Sequence, residues 1–535
     1  MYFYQTMSNA AIILLLISNF FFTVLNAQTY SLEKGEFKYG RTSYSPKGIV
    51  EINYLTNGEL LVMFIDGISF EMRHHNDQLG IVNSFVFDWE KYCDDNGLAH
   101  YKYFFFNDSY YFIVRNKDTE TKLSYKYFKI DCVNPSLDFE LIDLWTIPHL
   151  DCRTCEKLDL TISPDKKKFA LGHHNLSPES GQEADTRIYM YEAYVYDSVG
   201  NVIRSASIDL KKTRKAMPRR HFILDNAGNL YWATRKFDQF YFSHSFEESI
   251  SNLDFFGSLH NKLPQLKSII SIHVTNYQGG IQLISMYSDD HRNETKGVLV
   301  SELLPKQKKI EFLEKIDYDQ QIIDRLKQIK VRGLDLVSIA GQDKTPTMHK
   351  MDLMKPIETK ESIFLITQFQ HYTFSYNGAT GIQKSLRKNA DFVIFSLDHD
   401  FQLKQMYQIP FLSTIECSNF HCGRIYSTRI PRDHSLVQTD SGISLYMLNH
   451  RANYLMPVSK LARRHLVPSI SDNLGYYKIS LTDEDQMTTQ LLDVWNNKEV
   501  FNVLFNTGAV NANGNLVYFS TKKKEYKLVE LIEKK

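Results

Sequence analysis

The chain has 535 residues, and its 62 Lys and Arg residues balance 62 Asp and Glu residues, so the formal net charge is zero. A nucleic-acid-binding protein usually carries a basic excess or a concentrated basic face, and this sequence has neither, which argues against that class. Hydrophobic residues make up 43% of the chain, enough for a large core, and this excludes global disorder. The 32 Tyr and 35 Phe residues favour β-structure, because ring-bearing side chains suit half-buried pleated surfaces.

The N-terminal stretch is typical of an export signal. Residues 10–24 are almost continuously apolar, and the small residue Ala27 follows. An apolar run of about 15 residues fits a secretory signal better than a membrane span, which needs about 20. The run has no Lys or Arg before it and Leu25 is not small, so an uncleaved anchor is the alternative. We expect a signal peptide over residues 1–27 and a β-propeller over residues 28–535.

Localisation follows from this prediction. No Cys follows the apolar run, which disfavours a lipid anchor, and no second stretch is long and apolar enough to cross a bilayer. We therefore expect a periplasmic or secreted protein with no transmembrane segment after signal cleavage.

Export gives the six cysteines a structural interpretation, because disulfides are the default in an oxidising compartment. We expect loop disulfides within two close pairs, with the remaining two cysteines forming the third: Cys152 and Cys155, Cys417 and Cys422, and Cys93 with Cys132. The alternatives are a redox Cys-x-x-Cys or a zinc site with the neighbouring His149 and His421. A redox pair should open a helix in a thioredoxin-like fold, whereas strands are predicted around these cysteines.

Hairpins then follow one another along the chain. Residues 49–55 and 60–65 flank Asn57-Gly58, a strong two-residue hairpin signal. Residues 101–106 and 110–115 flank another tight turn. Residues 158–208 contain two hairpins in succession, which predicts a four-stranded antiparallel sheet. One such sheet cannot bury both of its faces, so looser copies along the chain predict blades packed side by side.

Three turns resemble those of known propeller families. Residues 225–233, with Asp225, Gly228-Asn229 and an aromatic strand, resemble the inner hairpin of NHL-type β-propellers, and residues 511–518 repeat the pattern. Residues 162–170 resemble the Ser-Pro-Asp-Gly turn of TolB and WD40-like blades, although Lys166 stands where that family usually has Gly. The resemblance implies a fold only.

The second half continues the same rhythm. Helical spacing of apolar residues predicts one short amphipathic helix inserted near residues 317–330. Counting turn-centred units predicts an all-β propeller of about seven or eight four-stranded antiparallel blades. We expect the terminal strand near Tyr526 to complete the first blade by pairing near Ile49. Two or three β-sandwiches in series are the alternative, but no Pro-, Gly- or Ser-rich linker divides the chain.

Most catalytic signatures are missing. The sequence contains no phosphate-binding Gly-rich loop, no Gly-x-Ser-x-Gly elbow, no His-Glu-x-x-His and no sialidase-type Asp box. His173 and His174 could ligate a metal only from a loop, because adjacent strand residues point to opposite faces, so we expect a solvated loop pair. We predict no metal and no cofactor.

Two basic triplets are the candidate binding residues. Arg219-Arg220-His221 and Arg463-Arg464-His465 each precede an apolar strand. In a propeller such positions form one rim of the axial channel, where converging Arg side chains can bind an anion or a carboxylate. Ordinary surface charge is the alternative interpretation.

The leading functional hypothesis is an exported propeller that binds a protein or a glycan at one face of the ring. The alternative is a secreted glycan-active hydrolase with carboxylates in the central channel, and a redox or metal role through Cys152 and Cys155 comes third. Two carboxylates with opposed pKa shifts in a deep axial cavity would favour the hydrolase. A shallow face bordered by aromatic side chains would favour the binding protein.

Overall fold

The structure is a computed structural model. It describes the following residues: 30–31, 36–39, 43–44, 49–65, 69–116, 123–147, 158–163, 165–176, 189–209, 220–236, 239–244, 268–277, 280–288, 294–304, 309–327, 330–331, 334–335, 337–340, 345–349, 351–354, 356–377, 382–418, 434–439, 441–450, 474–494, 502–510, 515–522 and 525–532. The predicted signal peptide and the repeat of the turn pattern at residues 511–514 lie outside this part of the chain.

The first half forms three four-stranded sheets. Three short strands come first: β1 (Tyr30–Ser31), β2 (Glu36–Tyr39) and β3 (Ser43–Tyr44). Blade 1 contains β4 (Ile49–Tyr54), β5 (Leu60–Ile65), β6 (Ser69–His75) and β7 (Ile81–Asp88). Helix α1 (Trp89–Asp95) leads to blade 2, with β8 (Leu98–Phe106), β9 (Ser109–Asn116), β10 (Leu123–Asp131) and β11 (Ile142–Ile147). Blade 3 contains β12 (Leu158–Ile162), β13 (Phe169–Leu176), β14 (Tyr189–Tyr196) and β15 (Val202–Asp209).

The middle of the chain contains a smaller sheet, blade 4 and an insertion. The smaller sheet has three described strands, β16 (Arg220–Leu224), β17 (Leu230–Lys236) and β18 (Gln239–His244). Blade 4 contains β19 (Ser268–Tyr277), β20 (Gly280–Ser288), β22 (Gly297–Leu304) and β23 (Lys309–Asp317). Around it lie β21 (Glu294–Thr295), helix α2 (Gln320–Lys327), β24 (Lys330–Val331), β25 (Leu334–Asp335), β26 (Val337–Ala340) and β27 (Thr345–His349).

The last third forms three more blades. Blade 5 contains β28 (Met351–Leu353), β29 (Ile357–Glu358), β30 (Ile363–Asn377), β31 (Ile382–Leu397) and β32 (Leu403–Ser418). Blade 6 contains β33 (His434–Thr439), β34 (Gly442–His450), β35 (Leu474–Thr482) and β36 (Met487–Val494). Blade 7 contains β37 (Asn502–Val510), β38 (Leu516–Lys522) and β39 (Glu525–Ile532), and β2 completes it.

These sheets form an all-β propeller. Within each blade, neighbouring strands pair antiparallel, and in blade 5 both β28 and β29 pair with β30. Seven sheets have four or five strands. First strands of neighbouring sheets contact one another, as β4 does with β37 and β12 with β16. The three-stranded sheet also has its place in the ring, because β16 contacts both β12 and β19. The prediction of about seven or eight blades is therefore confirmed.

The core lies between blades rather than in one central mass. One apolar cluster joins blades 1 and 2, another joins blades 2 and 3, and others join blades 4 and 5, 5 and 6, 6 and 7, and 7 and 1. Inner strands are covered on both faces, so residues 60–64 of β5 are all buried, whereas most of the outermost strand β7 is exposed. Each blade is stable because it has neighbours on both sides.

Ring closure differs from the prediction. The C-terminal strand β39 pairs with β2 and β3, not with the strand that begins at Ile49. Ile49 instead begins β4, the first strand of blade 1. The N-terminal strand thus completes the last blade, while β1 pairs parallel to β36 at the outer side of blade 6. The prediction had the right kind of closure and the wrong partner.

Two helices are present in the described residues, one of them predicted. Helix α2 buries Ile322, Ile323 and Leu326 as expected from their spacing, and the Asp319 carboxylate accepts the Gln321 N–H at 2.7 Å at its start. Helix α1 was not predicted. Its cap is Asp88, whose carboxylate accepts the Lys91 N–H at 2.9 Å.

Candidate functional site

The ring has two edges of different construction. Because strands alternate in direction, first-to-second and third-to-fourth connections of a blade leave from one edge, and all others leave from the opposite edge. The first edge, here called the turn edge, carries short turns at residues 55–59, 76–80, 107–108, 197–201, 225–229, 398–402 and 482–486. The opposite edge, here called the loop edge, carries the connections between blades.

The tight turns share one hydrogen-bonding pattern. In residues 197–201, the Asp197 N–H donates to the Asn201 carbonyl and the Gly200 N–H donates to the Asp197 carbonyl. The Asp197 carboxylate accepts the N–H groups of Val199 and Asn201 at 3.0 and 2.9 Å. These bonds to the charged form lower the pKa of Asp197 against the opposing effect of burial. Asp225 and Asp398 organise their turns in the same way.

The fourth residue of this turn has positive φ. Gly200 and Gly228 occupy it at +96° and +87°, as glycine does readily. Leu79 and Phe401 occupy it at 60° and 62°, although neither is a glycine.

Side chains of the turn edge also join neighbouring sheets. Asn107 of blade 2 donates to the Ser198 carbonyl of blade 3 at 3.0 Å. Asn226, in the turn after β16, accepts the Asp165 N–H of blade 3 at 2.9 Å. Thr56 of blade 1 hydrogen bonds to Asp108 of blade 2. Polar groups here stabilise the ring, and this use leaves them less available to a ligand.

A different group of side chains lies between blades 2 and 3, at mid-strand positions on the loop-edge side of Phe106, Phe169 and Tyr196. We call it the seam cluster, and its members come from β8, β10, β11, β13 and β14: Tyr101, Tyr125, Trp145, His173, Glu192 and Tyr194. The His173 ring stacks on Trp145 with centroids 4.3 Å apart and an interplanar angle of 9°. Tyr194 is parallel to Trp145 at 6.1 Å. A flat aromatic group of this kind combines apolar faces with polar ends.

His173 is the chemically unusual member. Its side chain is only 1% exposed, and its Nε2 atom lies 3.3 Å from Glu192 Oε2, whose side chain is 23% exposed. Within the described part of the chain, neither His173 ring nitrogen nor Trp145 Nε1 has a hydrogen-bond partner. Buried polar atoms are nearly always hydrogen-bonded. His173 Nε2 faces the Glu192 carboxylate, so His173 Nδ1 and Trp145 Nε1 are the two nitrogens that the described residues leave without a partner.

Side chains are closely packed on both faces of blade 3. Gly172 precedes His173, and a Cβ there would collide with the Tyr191 ring and hydroxyl. The glycine thus lets Tyr191 cross the sheet and donate to Asp159 Oδ2 at 2.9 Å. Burial raises the pKa of Tyr194, and the Glu192 charge adds to the shift, so this hydroxyl remains a proton donor.

The expectation of a solvated His pair is wrong for His173. The residue lies inside β13 of blade 3, where its side chain packs against Trp145 of blade 2. Sequence reasoning also missed Trp145, Glu192 and Tyr194. The available signal was Glu192 itself, a charged residue in the middle of the aromatic strand 189–196.

The predicted basic triplets are only partly described. Arg220 and His221 begin β16, whose first residues lie at the loop edge, and Arg220 pairs with Thr234. Their side chains lie outside the described part of the structure, as do Arg219, Arg463, Arg464 and His465. Their binding role remains a prediction.

The predicted disulfide between Cys93 and Cys132 is not seen. Both side chains are buried as thiols in the cluster between blades 1 and 2. Burial raises the pKa of Cys132 far above its usual value, so this sulfur is a poor nucleophile. Cys152, Cys155 and Cys422 lie outside the described residues, as does the side chain of Cys417 in β32.

Carboxylates on the innermost strands bear on the hydrolase alternative, and two of them are described. On inner strands, Glu51 and Asp159 each accept a tyrosine hydroxyl, from Tyr110 at 3.3 Å and from Tyr191 at 2.9 Å, but they belong to different blades. A cleft of about 300 Å³ is lined by Asp131, Asp138 and Glu140 together with Lys129 and Phe139. It lies at the outer strands β10 and β11, away from the axis, and no metal-binding cluster is found among the described residues.

Comparisons with known proteins bear on the fold alone. No family model and no curated protein matches the chain. The β-propeller domain of the Trilobed protease from Pyrococcus furiosus is 9% identical, covering 67% of this chain and 97% of that one, with a TM-score of 0.29. Drosophila Plexin A, solved in complex with Semaphorin 1b, is 9% identical over 94% and 88%, with a TM-score of 0.26. A protein of unknown function from Bacteroides caccae is 9% identical over 68% and 94%, with a TM-score of 0.24.

Those TM-scores are low, so the propeller assignment depends on the strand pairing of this chain. The resemblance to NHL, TolB and WD40-like families stays a prediction. No helix among the described residues is long and apolar enough to cross a membrane.

Proposed function

We propose that this protein is an exported β-propeller that binds a glycan through the loop edge, at the seam between blades 2 and 3. The observation that carries the proposal is the buried His173 imidazole, stacked on Trp145 and beside the partly exposed Glu192, with no hydrogen bond to either ring nitrogen within the described residues. Export is inferred from residues 10–27.

The chemistry of the seam cluster suits a sugar. A sugar presents apolar C–H faces together with hydroxyl groups. The cluster offers ring faces on Tyr101 and Tyr194, which are partly exposed, and a carboxylate acceptor on Glu192. Arg220 and His221 begin β16 of the neighbouring sheet, and contact with a charged substituent is their predicted role. A protein ligand is the alternative, because Tyr and Trp are also enriched at protein interfaces.

A glycan microarray tests this proposal. Probes should include neutral and acidic polysaccharide fragments, applied to the wild-type protein and to matched variants. Glu192→Gln and Tyr194→Ala should each weaken binding at least tenfold, because the first replaces a charged acceptor with a weaker, neutral one and the second removes a ring face. Asn226→Ala, at the turn edge, is the control and should bind like the wild type.

Three results would contradict the proposal. The first is that no glycan binds, and the second is that Asn226→Ala weakens binding as much as the two loop-edge variants do. The third is release of reducing sugar from the same fragments, which would support the hydrolase. Cross-linking of a protein partner to the loop edge without glycan binding would favour the protein ligand instead.

A further inference from the structure

A second buried histidine lies where the ring closes. His75, the last residue of β6 in blade 1, is 2% exposed and reaches Tyr526 of β39 in blade 7. Its Nε2 atom lies 3.3 Å from the Tyr526 hydroxyl. The Arg73 guanidinium lies over the rings of Phe64 and Tyr526, and Arg73 Nη1 donates to the Tyr526 hydroxyl at 3.2 Å. We call this group the closing seam.

The hydrogen bonds fix the protonation state of His75. Its Nδ1 atom lies 3.3 Å from the Leu79 carbonyl oxygen, which can only accept, so Nδ1 carries the proton. In a neutral imidazole Nε2 is then an acceptor, and the Tyr526 hydroxyl donates to it. The result is a directed chain in which Arg73 donates to Tyr526, Tyr526 donates to His75, and His75 donates to Leu79.

Protonation of His75 disrupts this series of hydrogen bonds. A proton on Nε2 would turn an acceptor into a donor facing a hydroxyl that already receives the Arg73 N–H. It would also place a second positive charge beside Arg73 in a site with little access to water. Both effects act across the contact between blades 1 and 7.

Other charged groups surround the closing seam, but they do not neutralise the positive charge that a protonated His75 would carry. On β6, Glu71 Oε1 is already paired with Arg73 Nε at 2.6 Å, and His74 Nδ1 lies 3.1 Å from Glu59 Oε2. On β4, burial raises the pKa of Tyr54, and the negative charges of Glu530 in β39 and Asp77 in the turn raise it further. The groups affecting the His75 ring itself are Arg73 and His74, both basic.

We infer that the closing seam is an acid-sensitive latch, and that protonation of His75 separates blade 7 from blade 1 before other seams open. The direction of the pH dependence follows from the environment of His75. Burial, with Arg73 and His74, lowers the pKa of His75 from 6.5 to about 4. An opened seam would return it to its ordinary value, so closure is fully favoured above pH 6.5 and is weakened as the pH falls toward 4.

Cysteine accessibility measures the opening directly. Val517, fully buried in the apolar cluster of this seam, is changed to Cys, and labelling of that peptide is followed by mass spectrometry with rates corrected by a model thiol. The pKa of His75 is about 4 in the closed seam and 6.5 in the opened one. Between pH 7.5 and pH 5 this difference predicts about a thirty-fold rise in labelling rate. Leu365→Cys, in the apolar cluster between blades 4 and 5, is the matched control and should change little.

Removing the titrating ring separates the latch from general acid unfolding. In a His75→Gln background, the amide keeps a donor and an acceptor but cannot become charged, so the Val517→Cys labelling should lose its acid acceleration. Persistence of the full acceleration in that variant would overturn the inference. Equal acceleration at Val517→Cys and Leu365→Cys with His75 intact would overturn it as well, even if the His75→Gln variant did not fold.

Discussion

The two edges of the ring use their polar side chains in opposite ways. At the turn edge, Asp197, Asp225 and Asp398 are satisfied by N–H groups of their own turns, and side chains such as Asn226 link neighbouring sheets. At the loop edge, His173 and Trp145 are buried with ring nitrogens that make no hydrogen bond within the described residues. The comparison indicates that the turn edge maintains the fold, and it is the basis for placing the proposed binding site at the loop edge.

The largest expected effect comes from the core behind the turn edge. Phe169 is buried between blades 2 and 3, where it stacks on Tyr196 at 4.7 Å and contacts Phe106 at 5.0 Å. Phe169→Ala should lower the free energy of unfolding by about 3–5 kcal/mol, because it leaves a cavity between two blades. Denaturant titration followed by tryptophan fluorescence measures it. A loss below about 1 kcal/mol would show that this contact is not part of the core.

A turn aspartate should matter less. Asp225 is buried and accepts both the Asn229 N–H and the Asn229 side-chain amide at 2.8 Å. Asp225→Ala should lower the free energy of unfolding by about 1–3 kcal/mol, because it leaves these donors without their acceptor. Asp225→Asn keeps an acceptor oxygen and should recover much of the loss in the same titration. Equal losses in the two variants would argue against this hydrogen bonding.

A gain in stability is expected at Lys166. This exposed residue has φ of 55°, in the left-handed region that disfavours side chains. Lys166→Gly should raise the free energy of unfolding by roughly 0.5–1 kcal/mol, the relief being partly offset by the greater freedom of glycine in the unfolded chain. Lys167→Gly, one residue later, is the control and should not stabilise. A lower free energy of unfolding in Lys166→Gly would mean that the Lys166 side chain stabilises the fold by more than its backbone conformation destabilises it.

The smallest stability effect is expected at the loop edge, where the effect on binding should be large. Glu192→Gln removes a charge from a partly exposed side chain, so the free energy of unfolding should change by less than about 1 kcal/mol. Glycan affinity should still fall at least tenfold. Large destabilisation without a specific binding defect would place Glu192 among the structural residues and remove the contrast between the two edges.

The sequence predicted those parts of the fold that depend on neighbouring residues. Turns with Gly58, Gly200 and Gly228 were recognisable, because glycine marks the positive-φ position. Leu79 and Phe401 occupy that position without such a mark. The pairing of β39 with β2 could not be recognised locally, because it joins the two ends of the chain.

The candidate site was harder to predict than the fold. His173 was noticed as one of two adjacent histidines, but its burial is decided by Trp145, which belongs to another blade. The same holds for His75, whose partner Tyr526 lies at the other end of the chain. Helix α1 was missed because seven residues are too few to show a helical period.

Hydrogen–deuterium exchange with and without the strongest-binding glycan from the array tests the central claim most directly. We expect protection at residues 142–147, 169–176 and 189–196, the strands that bring the seam cluster to the loop edge. Exchange at the turns 197–201 and 225–229 should be unchanged. Protection confined to those turns, with none at β11, β13 or β14, would contradict a binding site on the loop edge.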